Sequence, residues 1–323
     1  MTDHKSDTAV KKSKRKLKYI VALVILVLLI FFIVVMAMNS IKPDPLSLSN
    51  VPGDKKGSYF IKANQVLVEQ MLRNWLPNDI FWPTALLDNM PSFQIGQLEV
   101  IRYNVRVLRD NLSRMRTTDK LDPLAEAAYT SLSNDPFKWW FPSAENKLKQ
   151  GLKSLETYYD NLLQNKSPFY PRADNLVELL DQYTSLMGGT NSRLINAPRD
   201  VLITVSPEDA IGDTGLTSAG KKDMWIPWHK IDDNFYYAQG VAYALHLSFK
   251  AIMEDFYPVL EDKNSVRLVD QIIDNLGRCN FEPLIVFNGD PDSIFANHSL
   301  NLSGVFNDAR QKINSLTVAL KQG

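Results

Sequence analysis

Residues 19–38 read YIVALVILVLLIFFIVVMAM, twenty consecutive apolar side chains with no charge, glycine or proline. An α-helix rises about 1.5 Å per residue, so a run of this length reaches across the roughly 30 Å hydrocarbon core of a bilayer. A buried core helix of a soluble domain would carry a polar stripe and caps, and this run carries neither. A cleavable signal peptide has a shorter apolar region of about 7–15 residues, and Val35 and Ala37 make only a weak cleavage pattern. The run therefore predicts an uncleaved signal anchor that places the lipid bilayer among the chain's partners through residues 19–38.

Charge orients the anchor. The whole chain of 323 residues balances 36 Lys and Arg against 36 Asp and Glu. Within residues 1–18, however, Lys5, Lys11, Lys12, Lys14, Arg15, Lys16 and Lys18 face only Asp3 and Asp7, so seven minus two leaves +5 in the tail and −5 in the rest. Only Lys42 follows closely behind the apolar run. Positive residues stay on the cytoplasmic side, which predicts a cytoplasmic basic tail (1–18), a transmembrane helix (19–38), a linker or stalk (39–57, with Pro43, Pro45, Pro52, Gly53 and Gly57) and an extracytoplasmic body (58–323). Cys279 is the one cysteine, so the body holds together without an internal disulfide. Its reading is a small apolar filler or unpaired thiol, with an intermolecular disulfide as the alternative.

The body reads as all-α. From Ser92 to about Arg116, Leu98, Ile101, Val105, Leu108, Leu112 and Met115 recur at alternating spacings of three and four, a heptad-type seam. Residues 143–164 and 172–187 repeat the pattern, the latter with Gly188-Gly189 as a C-cap. From Lys230, Ile231, Phe235, Ala238, Ala242, Leu245, Phe249, Ile252 and Phe256 continue it until Pro258 ends or kinks the helix. A segment at 58–76, a short helix around 268–276 and a long one from about Pro291 to Leu320 complete a bundle of about six or seven helices. Alternation of period two is nearly absent outside residues 200–205 and 284–287. Residues 188–227 form a long connection rich in Gly, Pro, Ser and Asp.

No motif for a known chemistry stands out. The sequence has no G-x-S-x-G elbow, no phosphate-cradling G-x-x-x-x-G-K-[ST] or G-x-G-x-x-G, and no H-E-x-x-H, C-x-x-C or D-x-D-x-D-G metal pattern. No catalytic residue, metal ligand set or cofactor is predicted. The candidate ligand-binding residues are His229, Asp232 and Asp233 at the start of one helix, with Asn297 and His298 within the last. Asp232 and Asp233 also complement the dipole of a helix N-terminus, and His298 falls on the seam of Phe295, Leu302, Val305 and Ala309. Arg102, Arg106 and Arg109 form a stripe whose usual explanation is a solvated face pairing with acids of a neighbouring helix, with contact to an anionic partner as the alternative. The acidic body speaks against nucleic acid. Phe137, Trp139, Trp140 and Phe141, with Trp225 and Trp228, are expected to pack as lids where helices meet connections, with a membrane interface or a ligand groove as the alternative.

The segments WWFPSAENKLKQG (139–151), FYPRADNL (169–176), IPWHKIDDNFYYAQG (226–240) and ANHSL (296–300), with LLDNMP (86–91), resemble those of the domain-of-unknown-function family 2333, whose members are proteobacterial and usually begin with one membrane anchor. The resemblance spans nearly the whole chain. It implies a protein of the Gram-negative inner membrane with a periplasmic helical body, and it carries over no catalytic residue. The expected function is binding of another cell-envelope component, a protein partner. The alternative is an envelope enzyme or small-ligand binder using the polar residues around 229–233 and 297–301. Oligomeric state is not legible in the sequence.

Overall fold

The apolar run and the basic residues before it form one continuous helix, α1 (Asp3–Ser40), in the computed structural model of the chain. The stretch Lys16–Ser40 is long and apolar enough to cross a membrane, and none of its most apolar part is buried against the body. The structure describes residues 3–49, 51, 55–116, 118–196, 231–281, 283, 286 and 297–322. Among these no strand occurs. The body is built from α2 (Ser58–Leu72), α3 (Asn89–Val107), α4 (Pro123–Leu132), α5 (Ala144–Leu163), α6 (Ala173–Asn196), α7 (Ile231–Asp255), α8 (Tyr257–Asp262), α9 (Val266–Arg278) and α10 (His298–Lys321).

The seam of α7 explains its place at the hub. Phe235, Ala238, Ala242, Leu245, Phe249, Ile252 and Phe256 are all buried, and the helix touches α2, α3, α6, α8, α9 and α10. A fully buried Phe or Leu contributes about 1.5–3 kcal/mol relative to exposure, so one such stripe supplies a large part of the core. The closest pairing is α3 on α7, made possible by Gly96 and Gly240: a Cβ on Gly96 would lie 2.2 Å from the Tyr237 carbonyl oxygen, and one on Gly240 would lie 2.0 Å from that of Phe93. On one flank α4 and α5 pair with each other and reach the hub through α2 and α3. On the other, α6 and α9 hold α10.

Polar groups in this core are matched to one another. Asn104, on α3, donates to Asn64 Oδ1 (2.9 Å) and Ser248 Oγ (3.1 Å) and accepts from the Tyr183 hydroxyl (2.5 Å). Asp255, at the end of α7, accepts the Phe60 backbone N–H (2.7 Å) at the start of α2. There Gly57 takes a left-handed φ of +91°, and a Cβ would meet the Phe169 ring at 2.3 Å, so only glycine fits this entry to the helix.

Several boundaries differ from expectation. Helix α3 begins at Asn89 with Asp88 at its N-cap, so Ser92 lies inside the first turn. Its seam stops at Leu112, and Met115 is exposed, because the α-helix gives way to a π-helical turn at Leu108–Leu112. Gly188-Gly189 does not cap α6, which runs through both glycines to Asn196. Two short helices, α4 and α8, add to the expected set. Pro258 breaks the chain between α7 and α8 as its missing N–H requires. The last helix starts at His298, and residues 200–205 and most of 284–287 lie outside the described residues. Cys279 is buried and unpaired, and burial pushes its thiol up to about 12.

Candidate functional site

Residues 41–48 do not stand off the body as a stalk but lie along it as a strap. The Lys42 ammonium donates to Gln239 Oε1 (3.0 Å), to the Phe281 carbonyl (3.3 Å) and to Asn280 Oδ1 (3.5 Å). Gln239 is buried, and its amide nitrogen in turn donates to the carbonyls of Cys279 (3.1 Å) and Phe281 (2.5 Å). Charge-assisted bonds of this kind are stronger than neutral ones. Two residues on, the Tyr243 hydroxyl donates to the Asp44 carbonyl (2.6 Å), and Leu46 and Leu48 pack against the core.

A relay of amides supports the strap from below. Gln97 donates to Gln70 Oε1 (3.1 Å), and Gln70 donates to the Tyr243 hydroxyl (2.8 Å). Gln94 donates to the Asn74 carbonyl (2.6 Å), while the Asn74 side chain donates to Asn39 Oδ1 (2.5 Å) at the end of α1. Burial pushes the Tyr243 phenol above its ordinary value. These amides line a cavity of about 470 Å³ between α1, the strap, the end of α2 and the start of α3.

A second cavity lies where α3 ends. In the π turn the Ser113 N–H reaches back five residues to the Leu108 carbonyl (2.9 Å), a geometry frequent at functional sites. The chain between α5 and α6 returns to this turn: Tyr170 N–H donates to the Leu112 carbonyl (2.8 Å), and Arg172 donates to that of Met115 (2.9 Å). The result is an open cleft of about 450 Å³ lined by Asp110, Arg114, Arg116, Arg172, Asp174 and Glu178, among others. Arg172 closes on Asp174. This contact raises the guanidinium pKa and holds the Asp174 carboxyl below the usual carboxylate range.

The predicted site residues are distributed as follows. His229 lies outside the described residues. Asp232 and Asp233 occupy the first turn of α7, and Asp233 accepts from the Ser92 hydroxyl (3.3 Å), tying α7 to α3. Asn297 is the N-cap of α10, its side chain accepting from Leu300 N–H (3.0 Å), and His298 is the first residue of that helix, half-buried. Arg102 donates to the carbonyls of Leu132 (3.0 Å) and Asn134 (2.6 Å) and pairs with Glu99. Arg109 pairs with Asp110 and Glu126 and stacks 3.9 Å over the Tyr129 ring. Arg106 is the most exposed of the three and lies 4.0 Å from Asp110. Among the described residues no three His, Cys, Asp or Glu side chains gather as a metal would require.

Contrary to expectation, Phe137, Trp139, Trp140 and Phe141 do not pack as lids: all four are exposed. Trp225 and Trp228 lie outside the described residues. Sequence reasoning missed the clamp at Lys42 and the cleft at Arg172. The segment FYPRADNL held a signal for the cleft, since it supplies both Arg172 and Asp174.

No curated protein and no solved structure matches this chain. A family model described as an uncharacterized protein conserved in bacteria, the domain of unknown function 2333, matches residues 12–323, and the chain belongs to that family.

Proposed function

We propose that this chain is a single-pass protein of the bacterial inner membrane and that its body is a binding module for another component of the cell envelope. In this reading residues 1–18 lie in the cytoplasm, residues 19–38 span the bilayer, and the strap and body lie in the periplasm. The +5 tail ahead of the apolar run supports that orientation.

The observation that carries the binding role is the cleft at the π turn. It sets the guanidinium groups of Arg114, Arg116 and Arg172 beside the carboxylates of Asp110, Asp174 and Glu178 in an open depression. Exposed ion pairs are worth only about 0–1 kcal/mol, so a partner bearing its own charges exchanges them at little cost. The clamp at Lys42 adds orientation, because a body strapped to its anchor presents the cleft to the envelope in one pose.

The test is photo-crosslinking in cells from a benzoylphenylalanine placed at Arg116, followed by affinity purification of the full-length protein from native membranes. A discrete crosslinked species that disappears with Arg172→Glu supports the proposal. A protein that purifies alone and yields no crosslink from the cleft rules it out. Carbonate extraction checks the anchor, since release into the soluble fraction contradicts a spanning helix.

A further inference from the structure

Residues 80–87 read IFWPTALL, an uncharged stretch bounded by Asp79 and Asp88. In a body whose other apolar residues are mostly enclosed, this loop turns its large side chains outward. Phe81 is 77% exposed, Trp82 69%, and Ile80 and Leu86 each 50%. Four large apolar groups displayed together on one short loop mark an interaction surface rather than the scattered exposure normal for soluble proteins.

The occupant is indicated by what stands beside the loop. The Trp82 ring meets the Phe32 ring edge-on, with centroids 6.1 Å apart, and the turn at Thr84–Leu86 touches α1. Phe32 is not at the end of the apolar run. It lies six residues before Met38, about 9 Å along the helix axis at 1.5 Å per residue. If α1 crosses the bilayer, Trp82 sits at the same depth, inside the hydrocarbon edge of the extracytoplasmic leaflet.

The backbone in the second half of the loop suits that place. In lipid, polar backbone groups must find partners within the protein. Here the N–H groups of Ala85, Leu86 and Leu87 donate to the carbonyls of Phe81, Pro83 and Thr84 at 3.0, 3.1 and 2.9 Å. Pro83 has no N–H to satisfy. The strap explains how the loop reaches lipid: with residues 41–48 bound along the body, the body is drawn onto the membrane rather than held away from it.

We infer that the loop of residues 80–87 is a second membrane contact, seated in the lipid of the extracytoplasmic leaflet beside α1. This rests on the spanning role proposed above for α1. The segment just before the loop is held to the body, since Asn78 donates to the Lys138 carbonyl (3.2 Å) and Trp75 donates to the Pro136 carbonyl (3.3 Å).

The test uses the full-length protein in lipid nanodiscs, in a Cys279→Ala background, with a nitroxide attached through Phe81→Cys. Leu28→Cys in the span and Lys120→Cys on the exposed body are the references. Collision with lipid-dissolved oxygen is compared with collision with a water-soluble nickel chelate. The expected result is an oxygen-to-nickel ratio above one at position 81, as at 28, and below one at 120. A ratio below one at 81 with a ratio above one at 28 overturns the inference and leaves the anchor standing. Ratios below one at both positions overturn the anchor and the inference together. Ile80→Cys repeats the measurement at a second exposed site, should the label at 81 disturb the turn.

Discussion

The ammonium of Lys42 lies 3.0 Å from Oε1 of Gln239, joining the first charged residue after α1 to a buried amide on the central helix of the body. The two are 197 residues apart in sequence, so the bond closes the whole chain into one unit with its anchor. Replacing Lys42 by Ala strips a charged donor from Gln239, Asn280 and the Phe281 carbonyl at once. A buried polar group left without its partner costs about 1–3 kcal/mol. The expected outcome for Lys42→Ala is a lower melting temperature and new proteolytic cleavage within residues 41–57. Lys42→Arg keeps the charge and is expected to lose less. A strap equally resistant to protease in the alanine variant would show that Lys42 does not hold it.

Four helical glycines separate into two classes with opposite expected signs. At Gly96 and Gly240 the atoms a Cβ would strike are backbone oxygens of the facing helix, at 2.2 and 2.0 Å, and these move only if α3 and α7 move apart. Overpacking of this kind typically costs about 1–3 kcal/mol, occasionally more, so Gly96→Ala and Gly240→Ala are each expected to destabilise. At Gly189 in α6 and Gly304 in α10 nothing lies within 4 Å of the added carbon. There alanine removes only the entropic cost of a helical glycine and is expected to stabilise by about 0.5–1 kcal/mol. Denaturant unfolding of the four variants separates the classes.

A buried carboxyl and a half-buried imidazole give stability opposing dependences on pH. Burial raises Asp255 from 3.8 to about 7, against the lowering effect of the backbone N–H groups of Phe60, Gly57 and Tyr59. The folded state therefore holds this proton more tightly, and the stability it confers is present at low pH and lost as pH rises toward 7. Burial, then Lys250, lowers His246 from 6.5 to about 4, with Asp274 opposing. Here the unfolded state holds the proton more tightly, so stability is present above 6.5 and lost as pH falls toward 4. Between pH 4 and 6.5 the two slopes, each limited to about 1.4 kcal/mol per pH unit, oppose one another. In Asp255→Asn, stability is expected to rise with pH across that window. In His246→Gln it is expected to fall. Unfolding of the two variants at a series of pH values checks the signs, and parallel curves would refute the assignment.

The helices were legible because their signal is local. Phe235, Ala242 and Phe249 announce the buried face of α7 by spacing alone, and the structure buries all three. The same spacing misled at Met115, because no periodicity reports that the helix changes to a π turn at Leu108, seven residues earlier. Asp122 and Pro123 carried a start signal for α4, with the Asp122 carboxylate accepting from Leu124 and Ala125 N–H, but the helix after them is too short for a seam to show. The strap was hidden for another reason: Pro43 and Pro45 read as a linker, while the groups that bind Lys42 and Asp44 lie on α7 and beyond α9. The cleft depends likewise on Arg172 returning to a turn 57 residues earlier, at Met115, which composition cannot disclose.

The sharpest test of the core is the buried amide of Asn104. It is fully enclosed and makes three bonds, donating to Asn64 and Ser248 and accepting from Tyr183, so it links α2, α3, α6 and α7. Burial leaves the Tyr183 phenol raised well above its ordinary value, and the hydroxyl remains a donor at every accessible pH. Tyr183→Phe removes that donor and leaves one acceptor of Asn104 empty, a loss expected to be about 1–3 kcal/mol. Asn104→Ala strips partners from both Tyr183 and Asn64 and opens a cavity, so it is expected to cost more. The double variant isolates the bond. If Tyr183 and Asn104 act through one another, their combined loss is smaller than the sum of the single losses by roughly 0.5–3 kcal/mol. Additive losses in denaturant unfolding would mean that the two side chains stabilise the bundle independently, despite the 2.5 Å between their oxygens.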